Sequence, residues 1–204
     1  MLKQWTVNYY VVLNTDRGGL RKYNDSGIQQ WNQNLLDSNG TSVIDSRRIA
    51  IDSSNNIYVA GSTTGNLGGY VNTGDADIFI VKYSSAGVQQ WIRQTGTASY
   101  EHASGITIDS KDNIYITGDT KGALGSTSNA GENDIFVMKY SSNGTQQWIR
   151  QTGTASSDGG NDITTDSSGN VFVVGTTSGA LDGNSNAGSV DGFVLKYDSD
   201  GNLQ

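Results

Sequence analysis

The chain of 204 residues contains no cysteine and only one histidine, His102. Without cysteine it has no disulfides, no thiolate metal sites and no cysteine nucleophile. It also has no apolar run near the roughly 18 residues of a membrane span, so we expect no membrane insertion. The first residues do not form a signal peptide. The motifs of serine hydrolases, zinc proteases, P-loop proteins and dinucleotide-binding proteins are missing, so no sequence signature indicates an enzyme.

Positive charge is scarce as well. The chain has 13 Lys and Arg against 20 Asp and Glu, which gives a net charge of −7. Because a nucleic-acid backbone is held mainly by cationic side chains, we expect no nucleic-acid partner. Hydrophobic residues make up only 34%, but ten tyrosines, four tryptophans and 27 glycines accompany them. This mixture predicts many short strands joined by turns rather than a disordered chain.

A long internal repeat dominates the sequence. Residues 77–99 recur at 134–156 with four differences in 23 positions, an offset of 57 residues. The same phrase opens again at Asp191, and a more divergent copy covers residues 20–33. A repeat of this length is one supersecondary unit that buries its apolar faces against its neighbours.

Each full copy predicts four antiparallel strands. In the first full copy these lie at residues 48–51, 57–60, 77–83 and 88–94, which are rich in β-branched and aromatic residues and bounded by turn residues. Phe79, Val81 and Tyr83 alternate with Ile78 and Ile80, so both faces of the third strand are apolar and the sheet is covered on both sides. The pattern predicts an all-β fold, a β-propeller or propeller fragment with a 57-residue repeat.

The phrase D-x-F-[IV]-x-K-Y-x-x-x-G-x-x-Q-W, followed by I-x-x-D-x-x-x-N-[IV]-[YF]-[VI] and G-x-T-x-G-x-L, resembles the bacterial beta-propeller repeat SBBP. It is more distantly similar to NHL-type propeller repeats. The resemblance covers roughly residues 20–204 and implies a protein of the bacterial surface or a secreted protein, with no catalytic residue. We predict one propeller-type domain over residues 1–204. Its blades are expected at about 1–47 (irregular), 48–103, 104–160 and 161–204, the last with a truncated outer strand.

The way the ring closes is left open by the sequence. The last copy stops just before its tryptophan, and residues 2–6 have a similar sequence that could supply the missing outer strand. We favour a homodimer that completes a seven- or eight-bladed ring, or a fragment of a longer propeller, over a closed four-bladed monomer.

The connection between the second and third blades departs from the repeat. Residues 97–104 contain Tyr100, Glu101 and His102, where the next copy has Ser157, Asp158 and Gly159. Departures from a repeat are where specific binding can be placed, so Tyr100, Glu101, His102 and Asp158 are candidate ligand-binding residues. A lone histidine without a partner motif is also typical of a solvated loop.

The long loop of each copy ends in Asn-x-Gly-x-x-Asp. Oxygen ligands at this spacing could hold one weakly bound calcium ion per blade, whereas turn formation by Asn and strand capping by Asp is the structural alternative. We expect no other cofactor. The residues concerned are Asn72, Asp77, Asn129, Asp134, Asn186 and Asp191.

Two other recurring features favour structural roles. Asp52 and Asn56 recur in two later copies. We interpret each pair as part of a hairpin turn rather than as the start of a calcium-binding loop. Trp31, Trp91 and Trp148 occupy one position of the repeat, which favours packing between neighbouring blades over stacking on sugar rings.

We therefore expect a non-enzymatic binding or scaffold module that presents polar, acidic loops to a protein or carbohydrate ligand. The alternatives are a propeller-based hydrolase or lyase acting on carbohydrate and a purely structural subunit of a surface assembly. The expected location is extracellular or at the cell surface.

Overall fold

The computed structural model describes residues 8–13, 18–35 and 42–204. In these ranges the protein is all-β, with fourteen strands and one short 3₁₀ turn at Leu181–Gly183. The strands are β1 (Tyr9–Leu13), β2 (Gly19–Tyr23), β3 (Gln29–Gln33), β4 (Ile44–Ile51), β5 (Ile57–Thr63), β6 (Asp77–Tyr83), β7 (Gln89–Thr95), β8 (Glu101–Ile108), β9 (Ile114–Thr120), β10 (Asp134–Tyr140), β11 (Gln146–Thr152), β12 (Asp158–Thr165), β13 (Val171–Thr177) and β14 (Asp191–Tyr197).

The described strands form four antiparallel sheets, each a meander in which neighbours in the chain are neighbours in the sheet. Sheet I is β1–β2–β3, sheet II is β4–β5–β6–β7, sheet III is β8–β9–β10–β11 and sheet IV is β12–β13–β14. Four small antiparallel sheets in succession are consistent with the blades of a β-propeller. The proposed N-terminal outer strand at residues 2–6 lies outside the described residues.

Tight turns join the third and fourth strands, as the sequence predicts. Gly87 has φ = +82°, a conformation that costs glycine little, and its N–H donates to the Ser84 carbonyl at 2.8 Å. Gly144 and Gly201 occupy the same place in the later copies with φ of +80° and +81°. These turns confirm the prediction that Gly marks the hairpin.

The alternation along β6 is also confirmed. Phe79, Val81 and Tyr83 pack in one apolar cluster that reaches sheet I, whereas Ile78 and Ile80 pack in another that is shared with sheet III. Every residue of β5 and β6 is buried. The core is therefore not inside any one sheet but lies in the layers between sheets.

The first strand of each full sheet is longer than predicted. Strands β4 and β8 begin at Ile44 and Glu101 rather than at residues 48 and 105. The prediction of an irregular connection at residues 97–104 is therefore wrong for Glu101 and His102, which lie in β8, and Asp158 likewise begins β12. A β-bulge interrupts each of these strands, and polar residues precede it, so the period-2 apolar pattern is absent there.

The tryptophans pack between sheets, which confirms that prediction. A Cβ added to Gly144 of sheet III would lie 3.0 Å from Cδ2 of Trp91 in sheet II, so the indole rests on the glycine backbone. Within its own sheet Trp91 meets the ring of Tyr58 at 5.8 Å between centroids. Trp31 and Trp148 stand in the same relation to Gly87 and Gly201.

Cations reinforce the same contact. The Lys82 ammonium donates to the Ser142 carbonyl at 3.1 Å, and the Arg93 guanidinium donates through Nε to the Gly144 carbonyl at 2.7 Å. Lys139 and Arg150 bind the turn of sheet IV in the same way. We call this set of contacts, from Lys, Trp and Arg of one sheet to the turn of the next, the turn clasp.

We expect Trp91→Ala to lower the free energy of unfolding by about 2–3 kcal/mol. Truncation of a fully buried Trp costs about 3–5 kcal/mol, and Trp91 is only partly buried. Chemical denaturation monitored by circular dichroism measures the change. Val88→Ala, at an exposed position of the adjoining hairpin, is the matched control and should change stability by less than about 0.5 kcal/mol. Equal stability of the two variants would show that the indole does not join the sheets.

Candidate functional site

Strands β4, β8 and β12 are the first strands of sheets II, III and IV, and we call them the inner strands. They bring close together polar residues that differ between copies. Strand β8 packs beside β4 on one side and β12 on the other. Each of these strands carries a β-bulge that leaves one residue without a partner in the register, and in β4 and β8 these are Arg47 and Ser104. A bulge re-aims side chains and occurs often beside functional sites.

His102 is the centre of this region. Its Nδ1 lies 3.2 Å from Oδ1 of Asp119 and 3.2 Å from Oγ of Ser104. The imidazole stacks on the ring of Tyr100, with centroids 6.3 Å apart and planes at 12°. Asp119 in turn accepts a hydrogen bond at Oδ2 from the amide of Asn133 at 3.0 Å. The ring is therefore held by three neighbours in one orientation.

Sheet II contributes the other half of the region. Arg47 and Asp45 form an ion pair at 2.6 Å. Asp45 and Tyr100 line one small cavity of about 110 Å³. Burial raises the pKa of the Tyr100 hydroxyl, the Asp119 charge raises it further, and Arg47 opposes the shift. We call Asp45, Arg47, Tyr100, His102, Ser104, Asp119 and Asn133 the inner-strand cluster.

The geometry of this cluster differs from that of a serine–histidine–carboxylate triad. A serine nucleophile must contact one ring nitrogen while the carboxylate orients the other. Here Ser104 and Asp119 both lie on Nδ1, and Nε2 has no partner among the described residues. The cluster contains guanidinium, hydroxyl, amide and carboxylate groups, which between them can donate and accept hydrogen bonds.

The four predicted ligand-binding residues are divided by the structure. Tyr100 and His102 are brought together, whereas Glu101 is completely buried and accepts hydrogen bonds from the Thr97 hydroxyl at 2.6 Å and the Thr120 hydroxyl at 2.9 Å. Asp158 repeats this arrangement in sheet IV with Thr154 and Thr177. Successive side chains of a strand point to opposite faces, so Glu101 faces away from His102. The Glu101 and Asp158 carboxylates therefore bind the segments that connect one sheet to the next.

The Asn-x-Gly-x-x-Asp residues act as caps within the described structure. The Asp134 carboxylate accepts hydrogen bonds from the Ala130 N–H at 2.9 Å and the Gln151 amide at 2.8 Å. The Asn129 Oδ1 accepts one from the Gly131 N–H at 2.8 Å. At the other two loops Asn72, Asp77, Asn186 and Asp191 accept the equivalent backbone bonds, and Asp77 also accepts one from the Gln94 amide. No group of three acidic or histidine side chains that could hold a metal ion occurs in residues 8–13, 18–35 and 42–204. Calcium binding stays a prediction.

The Asp-x-x-x-Asn turns are hydrogen-bonded hairpins. Oδ1 of Asp109 accepts from the backbone N–H of Lys111 and Asn113 at 2.8 and 2.9 Å. Its Oδ2 accepts from the Asn113 amide and the Tyr115 hydroxyl. Burial of this carboxylate raises its pKa, but these hydrogen bonds outweigh the effect and the pKa is lowered. The pKa of Asp52 is lowered for the same reasons.

With this geometry in place, comparison with known proteins defines the family. The sequence profile of the beta-propeller repeat SBBP matches residues 38–68, 90–125 and 147–182, which together make up just over half of the chain. The chain belongs to the SBBP beta-propeller repeat family. The three matches follow one another along sheets II, III and IV.

Individual relatives are more distant. This SBBP chain is 25% identical to the "Regulatory protein FlaEY" of Caulobacter vibrioides over 68% of its own length and 16% of that protein. It is 27% identical to an uncharacterized WD repeat-containing protein of Acanthamoeba polyphaga mimivirus over 62% of its length and 10% of that protein. It thus spans a small part of either relative. A Bacteroides caccae crystal structure of unknown function superposes with a TM-score of 0.55 at 11% identity, covering 96% of this chain and 56% of the other, and shares the fold alone.

No described helix is long and apolar enough to cross a membrane.

Sequence reasoning missed Asp45, Arg47, Ser104, Asp119 and Asn133. A signal for part of the cluster was nevertheless present, because His102 is aligned by the strand register with Asp45 of β4 and Gly159 of β12. Three copies that agree closely elsewhere thus carry three different residue types at one position. The pairing of His102 with Asp119 across β8 and β9 depends on the register and could not be read from the sequence.

Acid should destabilise the SBBP chain partly through Asp109. A carboxyl group with a lowered folded-state pKa stabilises the protein above the unfolded value of about 3.9, and this contribution is lost as the pH falls through the lower folded value. Asp109→Asn should therefore unfold with a smaller loss of stability between about pH 5 and pH 2 than the wild type. At neutral pH it should be less stable by about 1–2 kcal/mol, since the charge-assisted bonds are weakened.

Urea unfolding at several pH values measures both effects. Asp25→Asn, in the exposed turn of sheet I, is the control and should leave the neutral-pH stability unchanged within about 0.5 kcal/mol. Parallel stability curves for wild type and Asp109→Asn would refute the assignment.

Proposed function

We propose that this SBBP chain is a non-enzymatic binding module of a bacterial surface or secreted protein, with the inner-strand cluster as its ligand site. The observation that carries the proposal is the position of this cluster. The packing and turn residues of sheets II and III are nearly identical, whereas β8 differs from β4 at His102 and Ser104, and β9 differs from β5 at Asp119. Where packing between sheets does not require the same residue in each copy, the side chain can instead contact a ligand.

The ligand that fits these groups best is a carbohydrate. Saccharide hydroxyls both donate and accept hydrogen bonds, as do the Ser104 hydroxyl and the Asn133 amide. Tyr100 is 37% exposed, so part of its side chain remains accessible while its ring stacks on His102. The net charge of −7 disfavours polyanionic ligands such as nucleic acids. The alternative function is cleavage of the bound saccharide by a hydrolase or lyase reaction.

Binding is tested by saturation-transfer NMR with a panel of neutral and amino-sugar oligosaccharides. We expect at least one to bind, and we expect His102→Gln to lower its affinity about tenfold or more because partner groups in the cluster lose their orientation. Lys111→Ala, at an exposed turn of the same sheet, is the control and should bind like the wild type.

The melting temperature of each variant is measured alongside, so that loss of folded protein is not counted as loss of affinity. Turnover of the bound saccharide by the wild type, abolished in His102→Gln, would favour the hydrolase or lyase. Absence of binding across the panel, or unchanged affinity in His102→Gln, would contradict the proposal.

We further propose that each sheet is one blade of a β-propeller with a 57-residue repeat, and that two chains associate into a seven- or eight-bladed ring. Two exposed apolar faces support this proposal. Tyr9 of sheet I is 54% exposed, and Val174 and Val194 of sheet IV are 43% and 68% exposed. Tyr9, Val174 and Val194 are equivalent in strand register to Ile57, Ala60 and Ile80 of sheet II, all of which are buried.

Light scattering of the purified chain tests the ring. We expect a mass about twice the 21.7 kDa of one chain. Val194→Glu should give a single-chain mass, since a charge would be buried at the junction. Val88→Glu, an equally exposed valine on the turn of sheet II, should keep the wild-type mass. A wild-type mass of one chain would overturn the two-chain ring.

A further inference from the structure

A cavity of about 410 Å³ lies where the long loop between β9 and β10 of sheet III meets the end of β11. Its walls include the buried carboxylate of Asp134 and three residues that carry hydroxyls, Ser126, Thr127 and Ser128. The cavity shares no residue with the inner-strand cluster or with the turn clasp.

One oxygen of the Asp134 carboxylate lacks a hydrogen-bond donor. Oδ2 accepts hydrogen bonds from the Ala130 N–H at 2.9 Å and from the Gln151 amide at 2.8 Å. Oδ1 is buried and has no partner among the described residues. A buried carboxylate oxygen without a donor costs free energy, so a donor that reaches Oδ1 would stabilise the site.

Sheet II shows which chemical group satisfies this oxygen. In the repeat, Asp77 is equivalent to Asp134 and Thr73 is equivalent to Ala130. The Thr73 hydroxyl donates to Oδ1 of Asp77 at 3.1 Å. Alanine has no hydroxyl, so the same carboxylate oxygen in sheet III is left without the donor that it has in sheet II. The group that fits beside Asp134 is therefore a neutral hydroxyl.

The rest of the cavity wall also differs from sheet II. Ser126, Thr127 and Ser128 stand where sheet II has glycine, tyrosine and valine. The two serines are exposed, and the Thr127 hydroxyl donates to the Leu124 carbonyl at 2.8 Å, which leaves its own oxygen able to accept. Because hydroxyls both donate and accept, this wall can form hydrogen bonds with several hydroxyls of one ligand.

We propose that this cavity binds a small polyol, with one hydroxyl of the ligand donating to Oδ1 of Asp134. That hydroxyl takes the place that the Thr73 hydroxyl has in sheet II, and the exposed Ala130 side chain moves aside to admit it. The other hydroxyls of the ligand exchange hydrogen bonds with the side chains of residues 126–128. A cavity of about 410 Å³ is within the size range of small-molecule sites and can hold a monosaccharide or an alditol.

The groups of the wall favour a neutral ligand over a charged one. A carboxylate ligand would meet the negative charge of Asp134. A tightly bound calcium ion is generally held by several carboxylates, whereas Asp134 is the single acidic residue among the described residues of this wall.

The test is a titration of the intact ¹⁵N-labelled chain with glucose, galactose, xylitol and sorbitol, followed by amide chemical shifts. We expect at least one of these probes to shift the signals of residues 126–134 and 151–153. Ala130→Thr supplies the donor that Asp77 has in sheet II, so this variant should bind the same probe at least tenfold more weakly. Glu132→Ala, at an exposed position of the same loop outside the cavity wall, is the matched control and should bind like the wild type.

Melting temperatures separate the effect of the hydroxyl from that of added volume. Ala130→Thr should melt at a higher temperature than the wild type, because its hydroxyl pairs the buried oxygen of Asp134. Ala130→Val adds a side chain of the same shape without a hydroxyl and should not melt at a higher temperature. Equal melting temperatures of the two variants would show that Oδ1 needs no donor, and would overturn the site.

Each outcome of the titration decides the proposal. Shifts at residues 126–134 that require more ligand in Ala130→Thr support it. Unchanged affinity in that variant, shifts confined to other residues, or no shifts at high millimolar concentrations of any probe would overturn it. Shifts at residues 126–134 with calcium chloride but with none of the polyols would also overturn it and indicate a cation site. Signals near His102 report on the inner-strand cluster, so the two sites can succeed or fail independently.

Discussion

Burial of both faces of the middle strands is the constraint on which the rest of the structure depends. Strands β5 and β6 have no exposed residue, and β9 and β10 are nearly as buried. A single sheet cannot cover its own two faces, so sheets II and III each need a neighbour on both sides. The apolar layers between sheets thereby supply the stabilising free energy, and the stacking of sheets follows from the composition of their central strands.

The turn clasp orients the sheets that this burial brings together. Apolar layers alone would allow neighbouring sheets to slide, whereas Arg93 and Lys82 must find particular carbonyls of the next turn. The turn clasp and the apolar layers use the same positions in each copy. Many of these positions therefore keep similar residues from one copy to the next. Arg47 of β4, His102 of β8 and Asp119 of β9 take no part in the turn clasp. These positions differ between sheets and form the candidate site.

Much of the fold could be predicted from the sequence, but the candidate site could be predicted only in part. Alternation placed Ile78 and Phe79 on opposite faces, and Gly87 marked its turn, because such local patterns depend on strand and turn geometry alone. The prediction failed for Glu101, which resembled a loop residue. Its carboxylate is buried in β8 and bonded to Thr97 and Thr120, and a satisfied buried acid has the same one-letter signature as an exposed one.

The sequence by itself therefore determined the repeat, the strands with their two apolar faces, the turns, and the places of Trp31, Trp91 and Trp148. These features are local or recur in every copy, so period and residue type are sufficient to define them. Only the tertiary structure decided that His102 meets Asp119, that Tyr100 lies beside Asp45, and that Leu181, Gly179 and Asp191 line one cavity. These groups come from different strands and loops, and strand register and sheet stacking, which join them, arise from burial across the whole chain.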